Sequence, residues 1–248
     1  MAINVDTVYK TVLLILNKEQ RGYVTPEEFN KISTQVQLEI FESYFEDLNQ
    51  QLRVAPNESE YADRQKSIDN KLAIFKTTGN CTYSSGKFVL PANLYRLGTV
   101  IYNDDTELQR VQKNDLLYIN KSALTKPTTT YPIYTYERDG GISTTAGVPN
   151  IYVYPTNVST TSISVSYIRK PADTKWGYTV GSFGEYIYNN NQYSPGVPSG
   201  STDFELDNAE QTMVISKVLL YMGIVIQNPE IVQVAAQQIQ SETINSKS

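Results

Sequence analysis

Thr25-Pro26-Glu27-Glu28-Phe29 opens the stretch that decides the fold, because it carries a complete helix start. A hydroxyl stands at the capping position, a proline at the first helical position, and a glutamate three residues after the cap. Val24 and Phe29 are placed to pack together as a hydrophobic staple across that start. Such a cap is worth about 1 kcal/mol. Ile32, Val36, Ile40, Tyr44 and Leu48 follow Phe29 at steps of three and four, joined by Phe41, Phe45 and Leu52. The spacing predicts one helix from Pro26 to about Leu52, roughly 40 Å long.

On the N-terminal side, Val5, Val8, Val12 and Ile15 share one helical face, and Gly22 is suited to end that segment. On the C-terminal side, Asn57 and Glu60 have capping-box spacing after Pro56. Tyr61, Gln65, Ile68, Leu72 and Phe75 form the stripe of a third helix, which Thr77-Thr78-Gly79-Asn80 is expected to stop. Residues 1–79 therefore read as a helical region.

The texture then changes. Residues 80–175 hold short runs of Tyr, Thr, Val and Ile, which favour strands. Asp139-Gly140 predicts a turn between the runs Tyr131–Tyr136 and Ile151–Tyr154. Asn103-Asp104-Asp105 predicts another between Val100–Tyr102 and Leu108–Val111. Ser162–Ile168 alternates polar and apolar residues, and Asn114–Ile119 reads as a short helix among the strands. The expectation is an antiparallel meander or small sandwich.

Residues 176–202 are rich in Gly, Asn, Ser, Pro and Tyr, and loops this long are usually functional or disordered. Two helices are expected over 203–248. Asp207 and Glu210 have capping-box spacing for the first, which carries Val214, Val218 and Tyr221 on one stripe. Asn228-Pro229 starts the second, with Ile231, Val234, Ala235 and Ile239. The fold class is α+β: a bundle of N- and C-terminal helices, 203–248 packing with 1–79 as one composite domain, and an antiparallel β region between them.

Composition narrows the chemistry. There is no histidine and one cysteine, Cys81. Ser-His-Asp and Cys-His nucleophiles and His-ligated zinc are therefore ruled out, and one thiol makes neither an internal disulfide nor a thiolate cluster. Ser84-Ser85-Gly86-Lys87 matches a Ser-x-x-Lys pattern but lacks its companion motifs. Gly79 to Lys87 is too long for a phosphate loop and has Phe88 where a hydroxyl would bind magnesium. Asp104 and Asp105 read as turn residues rather than a glycosidase pair. No catalytic residue, cofactor or metal ligand is expected, so the chain reads as no enzyme. A net charge of -5 argues against a protein that grips nucleic acid. No apolar run reaches the roughly 20 residues of a spanning helix, and no targeting segment is read at the N-terminus. A soluble protein made in a cytoplasm, with no membrane partner, is the expectation.

The chain has 19 tyrosines. Tyrosine is enriched at interfaces, although any one of them can equally be a core residue. In residues 176–202 the aromatics Trp176, Tyr178, Phe183, Tyr186, Tyr188 and Tyr193 stand among flexible residues. They are the candidate assembly interface, and deleting Gly184 to Ser199 is expected to spare the fold. The competing reading is a hairpin of Tyr178–Val180 against Tyr186–Tyr188 folded back on its own sheet.

Val5-Asp6-Thr7-Val8-Tyr9, followed by Asn17 through Asn30, resembles structural proteins of crAss-like and related Bacteroidetes-infecting phages. Glu39-Ile40-Phe41-Glu42 and Asp47-Leu48-Asn49-Gln50 continue the likeness. Leu90 through Arg96, Tyr167-Ile168-Arg169-Lys170-Pro171 and Phe204-Glu205-Leu206 are similar to phrases in short-tailed-phage adaptor proteins. The resemblance implies a virion protein assembled in the host cytoplasm. It would be one subunit of a homo-oligomeric ring, commonly twelvefold, in the head-to-tail connector. Its partners would be the portal protein and neighbouring ring or tail proteins, with DNA passing through the channel without specific binding. A receptor-binding or carbohydrate-binding tail component is the alternative.

Overall fold

A computed structural model describes residues 2–18, 24–51, 64–138, 149–158, 163–197, 199–225 and 229–247. The helices are α1 (Val5–Lys18), α2 (Pro26–Gln51), α3 (Arg64–Ala73), α4 (Lys113–Ile119), α5 (Gln211–Val225) and α6 (Pro229–Lys247). The strands are β1 (Ala2–Ile3), β2 (Lys76–Asn80), β3 (Thr82–Ser84), β4 (Lys87–Val89), β5 (Leu94–Tyr102), β6 (Thr106–Glu107) and β7 (Gln109–Arg110). They continue with β8 (Ile133–Arg138), β9 (Pro149–Tyr154), β10 (Ile163–Arg169), β11 (Tyr178–Val180), β12 (Tyr186–Tyr188) and β13 (Phe204–Asp207). The fold is α+β, and the chain forms two compact units: Met1–Ile74 with Pro171–Ser248, and Phe75–Lys170.

In the first unit the N- and C-terminal helices pack together. Its α2 begins as its sequence dictates. Thr25 Oγ1 accepts a hydrogen bond from Glu28 N at 3.3 Å, and Glu28 Oε2 accepts one from Thr25 N at 2.9 Å. Val24 and Phe29 are both buried beside this box, as a staple requires. The buried stripe of α2 includes Val36, Ile40, Phe41, Tyr44 and Phe45, but also the polar Ser33 and Gln37. These two reach distant parts of the chain. Gln37 donates to Ala172 O at 2.6 Å and accepts from Glu205 N at 2.9 Å, while Thr174 Oγ1 donates to Ser33 Oγ at 3.2 Å. The segment entering β13 is thereby fixed along α2, and β13 pairs antiparallel with β1. α5 is apolar on nearly every face and packs against α1, α2 and α6.

The second unit holds two sheets, ordered β2-β10-β5-β6 and β3-β4-β9-β8-β7. Phe88, Val100, Leu108, Ile151, Val153 and Val165 are among the residues of their common core. The chain changes sheets at Leu108, buried between β6 and β7, whose N–H bonds Val100 O at 2.9 Å. The turn at Asn103-Asp104 is as expected, with φ of 51° and 56° and a 3.2 Å bond from Asp105 N to Tyr102 O. Positive φ at both central residues is the type I′ geometry that suits a twisted hairpin. The short helix α4 also lies where the sequence placed it.

Some expectations are corrected. Lys76–Asn80 is not a helix stop but the strand β2, whose Thr77 and Thr78 pair with Tyr167 and Ser166 of β10. Phe75 is accordingly the first residue of the second unit, buried but beyond the end of α3. The β region is not wholly antiparallel, because β7 runs parallel to β8. Asp207 caps a 3-10 turn at Asn208–Glu210 by accepting from Ala209 N at 3.0 Å. Glu210 does not complete the box; it turns inward to an ion pair with Lys71, where burial favours a charged partner over a backbone N–H. Of the apolar residues carried by the last helix, Ala235 is buried and Val234 is 67% exposed. The predicted signals at Gly22, Asn57, Glu60, Asp139-Gly140 and Asn228 lie outside the described residues.

Candidate assembly surfaces

Residues 176–202 are built upward from Trp176, which is only 4% exposed. Its backbone N–H donates to Asn30 Oδ1 at 2.6 Å, and Asn30 Nδ2 donates back to its carbonyl at 3.2 Å. The indole N–H donates to Asp6 Oδ1 at 3.1 Å, and the ring lies against Tyr9 at 4.4 Å. Trp176, grouped by composition with interface aromatics, is thus enclosed in its own subunit. Partners on α1 and α2 satisfy both its donors, which is what a buried indole needs.

Above Trp176 stands the hairpin that was the competing reading of this segment. Its strands β11 and β12 pair Tyr178 with Tyr188 and Val180 with Tyr186, and they form a two-stranded sheet of their own. Trp176 stacks on Tyr178 and Tyr188, and Tyr178 meets Tyr186 edge-on at 4.9 Å. This ladder matters because an isolated hairpin is marginal in water. Gly177 lets the base close: a Cβ there would lie 2.2 Å from Ser199 O. Ser201 Oγ accepts from Gly177 N at 2.9 Å and donates to Asn189 O at 2.6 Å, completing the clamp.

Burial falls steadily along the hairpin. Tyr178 and Tyr188 are half-buried, Val180 is 63% exposed and Phe183, at the tip, is 96% exposed. The tip is nevertheless ordered by its own hydrogen bonds. Gly181 N donates to Glu185 O at 2.9 Å, Gly184 N to Gly181 O at 3.1 Å, and Phe183 N to Glu185 Oε2 at 2.9 Å. Gly184 takes φ +82°, a conformation that favours glycine. Tyr193 lies beyond the hairpin, exposed, with Lys175 Nζ 4.6 Å from its ring centre.

A second surface escaped the sequence reading. Ile15 of α1, Leu219 of α5, and Ile231, Val234 and Ala235 of α6 line a groove of about 480 Å³ together with Ser216, Glu230 and Gln238. Leu14, Ile224 and Val225 are exposed on the same helices. The signal was present: Leu13–Leu16 and the body of α5 are apolar on more faces than one buried stripe requires.

Tyr221 donates to Glu39, which also receives Lys217 at 3.5 Å; the hydrogen bond to Glu39, more than burial, raises the Tyr221 phenol. In the second unit, Ser84 and Lys87 face each other across the Ser85-Gly86 turn of the β3–β4 hairpin, and Asp104 Oδ1 accepts from Ser164 Oγ at 3.3 Å. Among the described residues no cluster of His, Cys, Asp and Glu could hold a metal ion, and no helix is long and apolar enough to cross a membrane. No known protein family matches the chain, and neither does any curated protein.

Proposed function

We propose that this chain is a structural subunit of a ring in a phage head-to-tail connector, joining the portal to the tail around the DNA channel. The observation that carries the reading is the pair of unlike apolar surfaces on the helical unit: a projecting hairpin tip and a groove. A ring grows by head-to-tail contact, which needs two different patches per subunit and a rotation that closes. The phage setting, the twelvefold number and the portal as partner come from the resemblance around Val5–Asn30. The net charge of -5 suits a channel wall that lets DNA slide, since like charge discourages adhesion. The role is mechanical, and the protein works in the virion after assembly in the host cytoplasm.

Negative-stain imaging and native mass spectrometry of the protein mixed with its portal test the reading. Closed rings, alone or on the portal, are the expected result. A persistent monomer that ignores the portal and neighbouring tail proteins would overturn it. A receptor- or carbohydrate-binding tail role draws on one observation, the exposed Tyr118 and Tyr131 of the second unit, because aromatic faces stack on apolar ligand surfaces. Glycan binding by a trimer would favour that reading instead.

A further inference from the structure

We infer that the β11–β12 hairpin of one copy docks through Phe183 into the groove between α1, α5 and α6 of the next copy. The inference deepens the ring reading and relies on it only for closure of the ring. The contact itself is argued from the two surfaces.

The tip holds Phe183 in place through three hydrogen bonds within the turn, yet the ring stays almost fully in water. Leaving a large apolar side chain exposed forgoes the free energy that its burial would supply. Rigid presentation of an aromatic ring lowers the ordering cost of binding, which is how an interface anchor works. The groove offers the complementary shape, a concavity lined by five apolar side chains together with Ser216, Glu230 and Gln238.

Charge decides what kind of occupant fits. Residues 177–188 contain no Lys or Arg, and their one carboxylate, Glu185, is turned onto Phe183 N. The groove lining contains no Lys or Arg either. Joining the two buries no unpaired cation, and of the eight groove-lining residues only Glu230 is charged, in keeping with the low charge of stable interfaces. A nucleic acid or an anionic headgroup would find no basic partner on either surface. An apolar protein projection suits the groove, and the chain itself carries one.

The surfaces are also anchored apart. Trp176 ties the hairpin to Asp6, whereas the groove begins at Ile15, about 13 Å further along α1. A hairpin tip seated in one groove is a small contact beside the roughly 1,600 Å² of a standard interface. In a ring each copy makes it twice, once as donor and once as acceptor. Hairpin-to-hairpin pairing would leave every groove bare.

The test uses single variants Phe183→Cys and Val234→Cys of the full chain, oxidised separately and as an equimolar mixture, with and without the portal. Cys81 can stay, since burial pushes its thiol up to about 11 and leaves little thiolate to react. Disulfide-linked pairs that form only in the mixture are expected. Phe183→Ser should melt like the wild type, because the ring is exposed, but should lower ring yield roughly tenfold as an interface anchor is lost. A dominant link between two Phe183→Cys chains, or from Phe183→Cys to the portal, would overturn the docking. So would rings that assemble normally with Phe183→Ser and no mixed link, while the ring reading would stand. Mixed links in chains that never close into rings would keep the docking and sink the ring.

Discussion

Tyr44 is buried on α2, and its hydroxyl has no hydrogen-bond partner among the described residues. Burial, helped by the charges of Glu210 and Asp207, pushes its phenol well above the ordinary range. An unmet buried hydroxyl costs stability that its removal returns. Tyr44→Phe keeps the ring under Lys71, 5.6 Å from its centre, and should be neutral or stabilising by up to about 1 kcal/mol in urea denaturation. A clear loss would show that the hydroxyl is satisfied. The α2 cap gives a prediction with a pH sign. Hydrogen bonds from the backbone and then the side chain of Thr25 hold the Glu28 carboxyl below its usual value. A carboxylate depressed by folding stabilises fully above its unfolded value of about 4.3 and loses that effect as pH falls through the folded value. Glu28→Ala should therefore melt lower than wild type at pH 7 and converge with it in acid. Thr25→Ala should cost about 0.5–2 kcal/mol, in part independent of pH, because its hydroxyl also accepts from Glu28 N. This box was legible because every member lies within four residues. Ser33 and Gln37 were not: they sit where an apolar stripe was read, and their partners are 141, 135 and 168 residues away.

Elements were legible to the degree that their cause was local. The hairpin β11–β12 could be named as the competing reading, but composition could not separate the enclosed Trp176 from the exposed Phe183. Their difference is made by Asp6 and Asn30, far back in the chain. The strand β2 was missed for a similar reason. Lys-Thr-Thr-Gly-Asn is weak as either strand or stop, and its pairing with β10 decides it. The structure also narrows what the segment 176–202 tolerates. Removing Gly184 to Ser199 would take Asn189 and Ser199, whose side chains bond at 3.0 Å in the clamp at the hairpin base, so that cut is expected to damage the fold. Replacing only Gly181–Glu185 with an Asn-Gly pair keeps both strands and supplies a type I′ turn. It should change unfolding free energy by no more than about 1 kcal/mol, as exposed substitutions do. Trp176→Ala should instead cost about 3–5 kcal/mol, the usual range for a buried aromatic. Paired denaturation curves check both, and equal losses would mean that the tip belongs to the core.

At the scale of the whole molecule, the change in composition announced an α-β-α order, and the helices of both ends do share one unit. Its first border falls at 74 rather than 79, and its second part begins at Pro171 rather than at 203, because β2 and the Trp176 segment belong to structures that the local sequence does not define. Phe75–Lys170 thereby becomes a continuous insert within a unit whose two parts are distant in sequence. The insert begins and ends on neighbouring strands: β2 pairs with β10, and Arg169 N donates to Phe75 O at 2.9 Å. The Phe75 ring lies 5.7 Å from the Arg169 guanidinium, packing the two ends together. Two sheets share one apolar core within this insert, and adjacent ends are the usual mark of a segment able to fold alone. Residues 75–170, expressed by themselves, should therefore give a dispersed amide spectrum and one cooperative unfolding transition. Residues 1–74 joined to 171–248 by a short Gly-Ser link should keep their helical circular dichroism, since α1, α2, α5 and α6 make their packing contacts without the insert. A collapsed amide spectrum from 75–170 would show that the sandwich depends on the helical unit for its stability, and that the chain folds as one cooperative body.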